Sequence, residues 1–275
     1  MSDAVRLLHI SDPHLFADPQ GELRGVRTLE SLQHVLEHAM AHRRGAEAVL
    51  CTGDIVNDQP DGYPHFARLL GGLGLPVYCI PGNHDDAAQL RAALPGAPFQ
   101  VGGHVDIGRW RLILLDSCIP GATRGHVAAT ELQRLRETLA GSDRHVMVCL
   151  HHHPVGMASH WLDPLGLDNA EELLGLLDAH RQVRVIGFGH VHQCFETRRQ
   201  GVRMIGTPST CVQFLPLAER FAVDRRPPAY RRWTLHADGT VDTEVVWVDG
   251  AAGQSVSRSA AGAAAASGAA ATQGA

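Results

Sequence analysis

Short apolar runs alternate with amphipathic stretches along most of the chain. The runs over 5–10, 48–51, 77–80, 110–115, 145–150 and 183–188 have the length and continuity of buried strands. The stretches over 28–42, 63–70, 86–94, 130–140 and 169–180 repeat their apolar residues at helical spacing and predict helices. Beyond residue 200 the pattern turns to strands, over 202–205, 230–235 and 243–248. Such alternation predicts an α/β fold. From 250 to 275 the chain is almost wholly Ala, Gly and Ser, with Val256 its one large apolar residue. Too little can be buried there to offset the entropy of ordering, so the expectation is a domain over 1–249 and a disordered tail over 250–275.

Composition narrows the chemistry. The 24 basic residues are all Arg, and 18 residues are His. Without Lys there is no Walker-A phosphate loop, no Schiff-base chemistry and no kinase ATP-pairing lysine. A net charge of −5 gives no electrostatic footprint for nucleic acid. No apolar run approaches a membrane span, and Met1-Ser2-Asp3 does not open a signal peptide. The six cysteines, with no C-x-x-C pair, read as reduced and mostly buried thiols of a cytoplasmic protein.

Ligands of α/β sheets collect beyond the carboxyl ends of the strands. Just past the strand-like runs stand Asp12 and His14, then Gly53 and Asp54, then Gly82-Asn83-His84-Asp85, then His151-His152-His153, then Gly189, His190 and His192. Carboxylates with imidazoles suit Mn, Fe, Zn, Ni or Co rather than thiolate chemistry. A lone His-x-His is weak evidence in a His-rich chain; Gly82-Asn83-His84-Asp85 is much rarer by chance, and the ordered set of five is the strong signal. Gly82 is expected to let the backbone turn sharply. His34, His38 and His42 also have metal-like spacing, but Leu29, Leu32, Leu36 and Met40 mark the buried stripe, so the trio reads as a solvated face.

These motifs resemble the calcineurin-like metallophosphoesterase superfamily over roughly residues 5–248. Leu150-His151-His152-His153-Pro154, Trp161-Leu162-Asp163 and the stretches 207–214 and 235–240 are similar to the class III bacterial cyclic-nucleotide phosphodiesterases. The resemblance implies a four-layer α/β/β/α sandwich of two mixed sheets flanked by helices. It implies two metal ions per subunit, Fe or Mn first, with Zn, Co or Ni as alternatives. Asp12, His14 and His192 would hold one and Asn83, His151 and His190 the other, with Asp54 bridging through its two oxygens. His152 is the alternative ligand to His151, because His153 stands where many relatives have Pro. His14, Asp54, Asn83, His84, His151 and His192 would meet the substrate.

The implied reaction is hydrolysis of 3′,5′-cyclic AMP to 5′-AMP by a metal-bridging hydroxide, lowering cellular cyclic AMP. His84 would be the general acid or a phosphate donor, oriented by Asp85 or a backbone carbonyl. A broader phosphodiesterase or phosphomonoesterase and a non-catalytic metal-holding scaffold are the alternatives. The expected partner is a small cyclic nucleotide, with no nucleic acid and no membrane. Asp58 reads equally as support for the site or as an exposed loop carboxylate. Asp116 and Ser117 read as a structural turn. Trp161 reads as a base-stacking ring or a buried loop aromatic. The stretch 207–214 offers no physical reason to read adenine.

Overall fold

The computed structural model describes residues 4–249; the expectation for the tail lies outside the described residues. Its strands are, in chain order, β1 (Val5–Ile10), β2 (Ala48–Cys51), β3 (Val77–Cys79), β4 (Phe99–Val101), β5 (Gly103–Ile107) and β6 (Trp110–Leu114). There follow β7 (His145–Leu150), β8 (Val183–Phe188), β9 (Phe195–Arg199), β10 (Val202–Gly206), β11 (Ala229–Leu235) and β12 (Val241–Trp247). The helices are α1 (Thr28–Ala41), α2 (Tyr63–Gly71), α3 (Ala87–Ala93), α4 (Ala129–Ala140) and α5 (Ala170–Asp178). Two short hairpins, Glu22–Leu23 with Val26–Arg27 and Gln213–Phe214 with Val223–Asp224, stand outside the main sheets.

One sheet has the order β12-β11-β1-β2-β3-β4 and the other β9-β10-β8-β7-β6-β5. In the first, β1 to β4 are parallel and β11 and β12 pair antiparallel. In the second, β10, β8, β7 and β6 are parallel and both edge strands are antiparallel.

The period-two alternation of strands explains the layering. On β1, β2 and β7, residues Leu7, Leu50 and Cys149 point into the core between the sheets, together with Trp110 and Trp233. Their neighbours Leu8, Val49 and Cys51 point the other way, against Leu32, Val35 and Phe66 of α1 and α2. Val146, Val148 and Leu150 likewise face Leu132, Leu135 and Leu173 of α4 and α5. Strands covered on both faces must be apolar throughout, which is why they read as continuous runs. Three stacked cores make the α/β/β/α sandwich that the resemblance implied.

Every element expected from the pattern is present, with ends moved by at most two residues. The three main-sheet strands it missed, β4, β5 and β9, lie at sheet edges. All three are half-buried at most; Phe195-Glu196-Thr197-Arg198-Arg199 alternates half-buried and exposed and has no apolar run. The trio on α1 lies on the partly exposed face, where His34 meets the Asp249 carbonyl, His38 the Tyr230 hydroxyl and His42 the His38 carbonyl. All six cysteines are free, four of them buried, with Cys118 partly exposed and Cys194 exposed. Among the described residues, no helix is long and apolar enough to cross a membrane.

Candidate metal centre

The parallel strands of both sheets end at one place. From β1 come Asp12 and His14, from β2 Asp54, from beyond β3 Asn83 and His84, from β7 His151, and from β8 His190 and His192. The chain reverses sharply there. Asp12, His14, Asp54, His190 and His192 all have φ between 48° and 66°, the left-handed region. Asp and His enter that region more readily than most residues, and strain of this kind gathers at functional sites. Backbone bonds hold the loops in register: Asp12 N–H donates to the Gly53 carbonyl at 3.0 Å and His14 N–H to that of Asp54 at 2.9 Å.

Glycines let the loops approach. A Cβ on Gly189 would collide with Ser11 Oγ, Thr52 O and Asp12 Oδ2. One on Gly82 would strike the backbone nitrogen and carboxylate of Asp54. Gly82 is not among the positive-φ glycines. The expected sharp turn is present, Asp85 N–H donating to the Gly82 carbonyl at 3.0 Å, but close approach to Asp54 and not φ is what requires glycine there.

Hydrogen bonds fix the imidazole tautomers. His151 Nδ1 donates to the Thr52 carbonyl at 2.7 Å and His192 Nδ1 to that of Val212 at 2.6 Å. His14 Nδ1 faces Asn57 Oδ1 at 3.2 Å. In the neutral rings the lone pairs then sit on Nε2 and point inward. His14 Nε2 and His192 Nε2 lie 3.1 Å apart, and His151 Nε2 lies 3.2 Å from both Asn83 Oδ1 and His190 Nδ1. Facing lone pairs repel unless a cation sits between them, so this donor set fits bound metal.

Asp54 lies between the two groups. Its Oδ2 is 3.2 Å from His151 Nε2 and 3.7 Å from His14 Nε2, while its Oδ1 accepts the His84 N–H at 2.9 Å. Oδ2 thus faces both groups, while Oδ1 accepts from the backbone. Asp12 Oδ1 lies 3.4 Å from His192 Nε2 and accepts the His190 N–H at 3.0 Å.

The electrostatics suit cation binding. Burial pushes the Asp54 carboxyl up, but the imidazoles of His151 and His14 outweigh it and hold it well below the usual carboxylate range. Burial pulls His151 down, yet Asp54 outweighs it and lifts the ring to about 9. An incoming metal would displace that proton. Burial lowers His14 to about 4 and, with His152 and His151 adding to it, holds His190 well below its ordinary value. Both are neutral near pH 7, as ligation requires.

His84 is partly exposed at the rim, its ring 5.0 Å from that of His14. Its Nδ1 lies 2.9 Å from Asp58 Oδ2. The expectation that Asp85 or a backbone carbonyl orients it is therefore corrected to Asp58, whose own φ is 58°. Asp85 instead ties the Asp54 and Gly82 loops together, accepting from the N–H groups of Ile55, Val56 and Gly82 and from the Tyr63 hydroxyl. Burial lowers His84, but Asp54 and the Asp58 hydrogen bond outweigh it and raise its pKa.

Of the other histidines, His152 Nδ1 is spent on Ser117 Oγ at 2.8 Å while its Nε2 has no partner, and His153 stacks on the His190 ring. Asp116 makes the expected turn, accepting the Cys118 N–H.

The stretch 207–214 has a role that its sequence did not disclose: it braces the centre. Ser209 Oγ donates to the Asp12 carbonyl at 2.7 Å, and Val212 supplies the carbonyl that orients His192. Gln213 clamps the N–H and carbonyl of Ser209. The polar run Thr207-Pro208-Ser209-Thr210 was the available signal, since buried hydroxyls beside a strand end need nearby backbone partners.

Comparison with known proteins follows this geometry. The calcineurin-like phosphoesterase family matches residues 5–194. A 3′,5′-cyclic adenosine monophosphate phosphodiesterase CpdA of Pseudomonas aeruginosa is 39% identical over 250 residues, covering 90% of this chain and 91% of that protein. The protein of that name from Escherichia coli K12 is 40% identical over 244 residues, covering 88% of this chain and 89% of its own. Among solved structures, a dimetal phosphatase from Danio rerio superposes with a TM-score of 0.61 at 18% identity, covering 89% of this chain and 99% of that one.

Proposed function

The chain belongs to the calcineurin-like phosphoesterase family, and from that premise we propose that it hydrolyses 3′,5′-cyclic AMP to 5′-AMP. The observation that carries the chemistry is Asp54 Oδ2, set between His14 on one side and His151 on the other. The cyclic AMP assignment rests on curated relatives matched over about nine-tenths of the chain.

In this reading Asp12, His14 and His192 hold one metal, Asn83, His151 and His190 the other, and Asp54 both. Iron and manganese suit this carboxylate–imidazole–amide set, with zinc, cobalt or nickel as alternatives. When bound, two such cations offset the charge on a phosphodiester and lower the pKa of water from 15.7 toward about 7.

The chain's own residues do the rest. The His14, Asn83 and His84 side chains line the cavity and orient the phosphate there. Asp54 and the Asp58 hydrogen bond favour the protonated ring of His84, and Asp58 holds Nδ1 so that Nε2–H is the proton offered. That proton goes to the 3′ oxygen as the oxygen of a water molecule joins phosphorus and the 3′ P–O bond breaks, while the 5′ ester is kept. The six free thiols agree with a reducing, cytoplasmic setting.

The test is product identity. Metal-reconstituted enzyme incubated with cyclic AMP should yield 5′-AMP by chromatography. Formation of 3′-AMP, or no turnover with metal bound, contradicts the proposal.

A further inference from the structure

A cavity of about 250 Å³ opens at the metal centre, lined by His14, Asp54 and His192 and by an aromatic wall that adjoins them. The wall comes from two loops. Trp161 stands on the segment before Leu162; Phe214 and Phe221 stand on the hairpin that pairs Gln213–Phe214 with Val223–Asp224. The loops are tied where Ala218 N–H donates to Ser159 Oγ at 3.2 Å.

The three rings are nearly perpendicular to one another. Trp161 meets Phe214 at 75° and Phe221 at 85°, and Phe214 meets Phe221 at 71°, with centroids 5.1–5.4 Å apart. Such a corner suits a flat heteroaromatic guest, because a ring stacked on one wall meets the other two edge-to-face. The corner is open to a guest, for Phe221 is 40% exposed.

Position supplies the link to substrate. Phe214 lies flat on the imidazole of His192, centroids 4.0 Å apart and planes 9° from parallel. In a cyclic nucleotide the ribose separates base from phosphate. A phosphate held at the histidines therefore puts the base about one side chain farther out, at this wall. Arg24, whose guanidinium sits 4.9 Å from the Phe221 centroid, closes the outer side.

We propose that Trp161, Phe214 and Phe221 form the nucleobase subsite, recognising the base by its aromatic face. This inference rests on the cyclic-nucleotide reading of the metal centre. Recognition by face makes the site selective for nucleoside esters over aliphatic ones.

The test compares cyclic AMP with methyl β-ribofuranoside 3′,5′-cyclic phosphate, which has the same cyclic ester and no base. Full-length, metal-reconstituted enzyme and its Phe221→Ala variant are assayed on both; Phe221 touches neither metal ligands nor His84. Wild type should favour cyclic AMP at least tenfold in kcat/KM, and Phe221→Ala should lose at least fivefold of that through KM, leaving the baseless ester unchanged. Equal wild-type rates on the two esters, an unaltered KM for cyclic AMP in the variant, or a proportional loss on both would overturn the subsite while cyclic AMP hydrolysis stands. Turnover of the baseless ester without cyclic AMP, or of neither, overturns the cyclic-nucleotide reading and the subsite with it.

Discussion

Asp58 holds the imidazole of His84 through a 2.9 Å contact from its Oδ2 to Nδ1, at the rim of the metal centre. The carboxylate is largely solvated and the ring about one-third exposed, so the pair is a moderate electrostatic lever and not a buried lock. Its direction is definite. A nearby anion favours protonated imidazole, and a general acid is active only while protonated. Activity should therefore fall as pH rises through the His84 pKa, and Asp58→Asn should move that alkaline limb to lower pH. His84→Ala should cost about 10²- to 10⁴-fold in kcat with metal content intact. A fully metallated His84→Ala enzyme with undiminished kcat removes His84 from the chemistry.

Asp54 is predicted to be indispensable to both metal positions, since its Oδ2 faces His14 and His151 alike. Asp54→Ala should lose both metals and all activity, read by elemental analysis of the purified protein. Retention of two metals per chain refutes the shared-ligand assignment.

Close packing under the site predicts a contrast between two glycines. Gly189→Ala drives a methyl into Ser11, Thr52 and Asp12 and should lower both Tm and metal occupancy. Gly175→Ala, on the exposed side of α5, meets no atom within 4 Å and should stabilise by up to about 1 kcal/mol, the helix-propensity difference. Comparable Tm values for the two variants would show that the loops have slack.

His9 predicts an acid sensitivity between the sheets. It is fully buried; Trp233 Nε1–H donates to its Nδ1 and its Nε2 faces Thr52 Oγ1 at 2.8 Å. Burial first, and then Arg231, holds its pKa well below the ordinary value. In the unfolded chain His9 takes a proton near pH 6.5; in the fold it does not. The unfolded state thus binds more protons as pH falls, and the stability His9 contributes above that value is lost below it. Between pH 7.5 and 5.5 the wild type should lose about 1.4 kcal/mol more than His9→Gln in urea unfolding. Equal losses place the sensitivity elsewhere.

Much of this was legible in the sequence, for identifiable reasons. Strands buried on both faces, such as Val5–Ile10 and His145–Leu150, must be apolar throughout, so their ends could be located and the polar residues beyond them read as a set. That is how Asp12, His14, Asp54, Asn83, His84, His151, His190 and His192 emerged together. The three missed edge strands, β4, β5 and β9, were hidden because they are half-buried at most and carry no long apolar run. The hydrogen bond from His84 to Asp58 and the bracing of Asp12 by Ser209 span 26 and 197 positions, and only the folded loops bring those residues together. Asp54 Oδ1 was beyond reach for another reason, since a motif names a carboxylate without saying which oxygen a backbone amide takes.

The central claim is that this metal centre opens the cyclic phosphodiester of cyclic AMP. The most direct measurement is kcat/KM for the enzyme reconstituted with manganese or iron, taken side by side on cyclic AMP, cyclic GMP, a chromogenic diester and a chromogenic monoester. The account predicts cyclic AMP as the best of the four substrates. A chromogenic ester turned over efficiently beside only traces of cyclic AMP would contradict it.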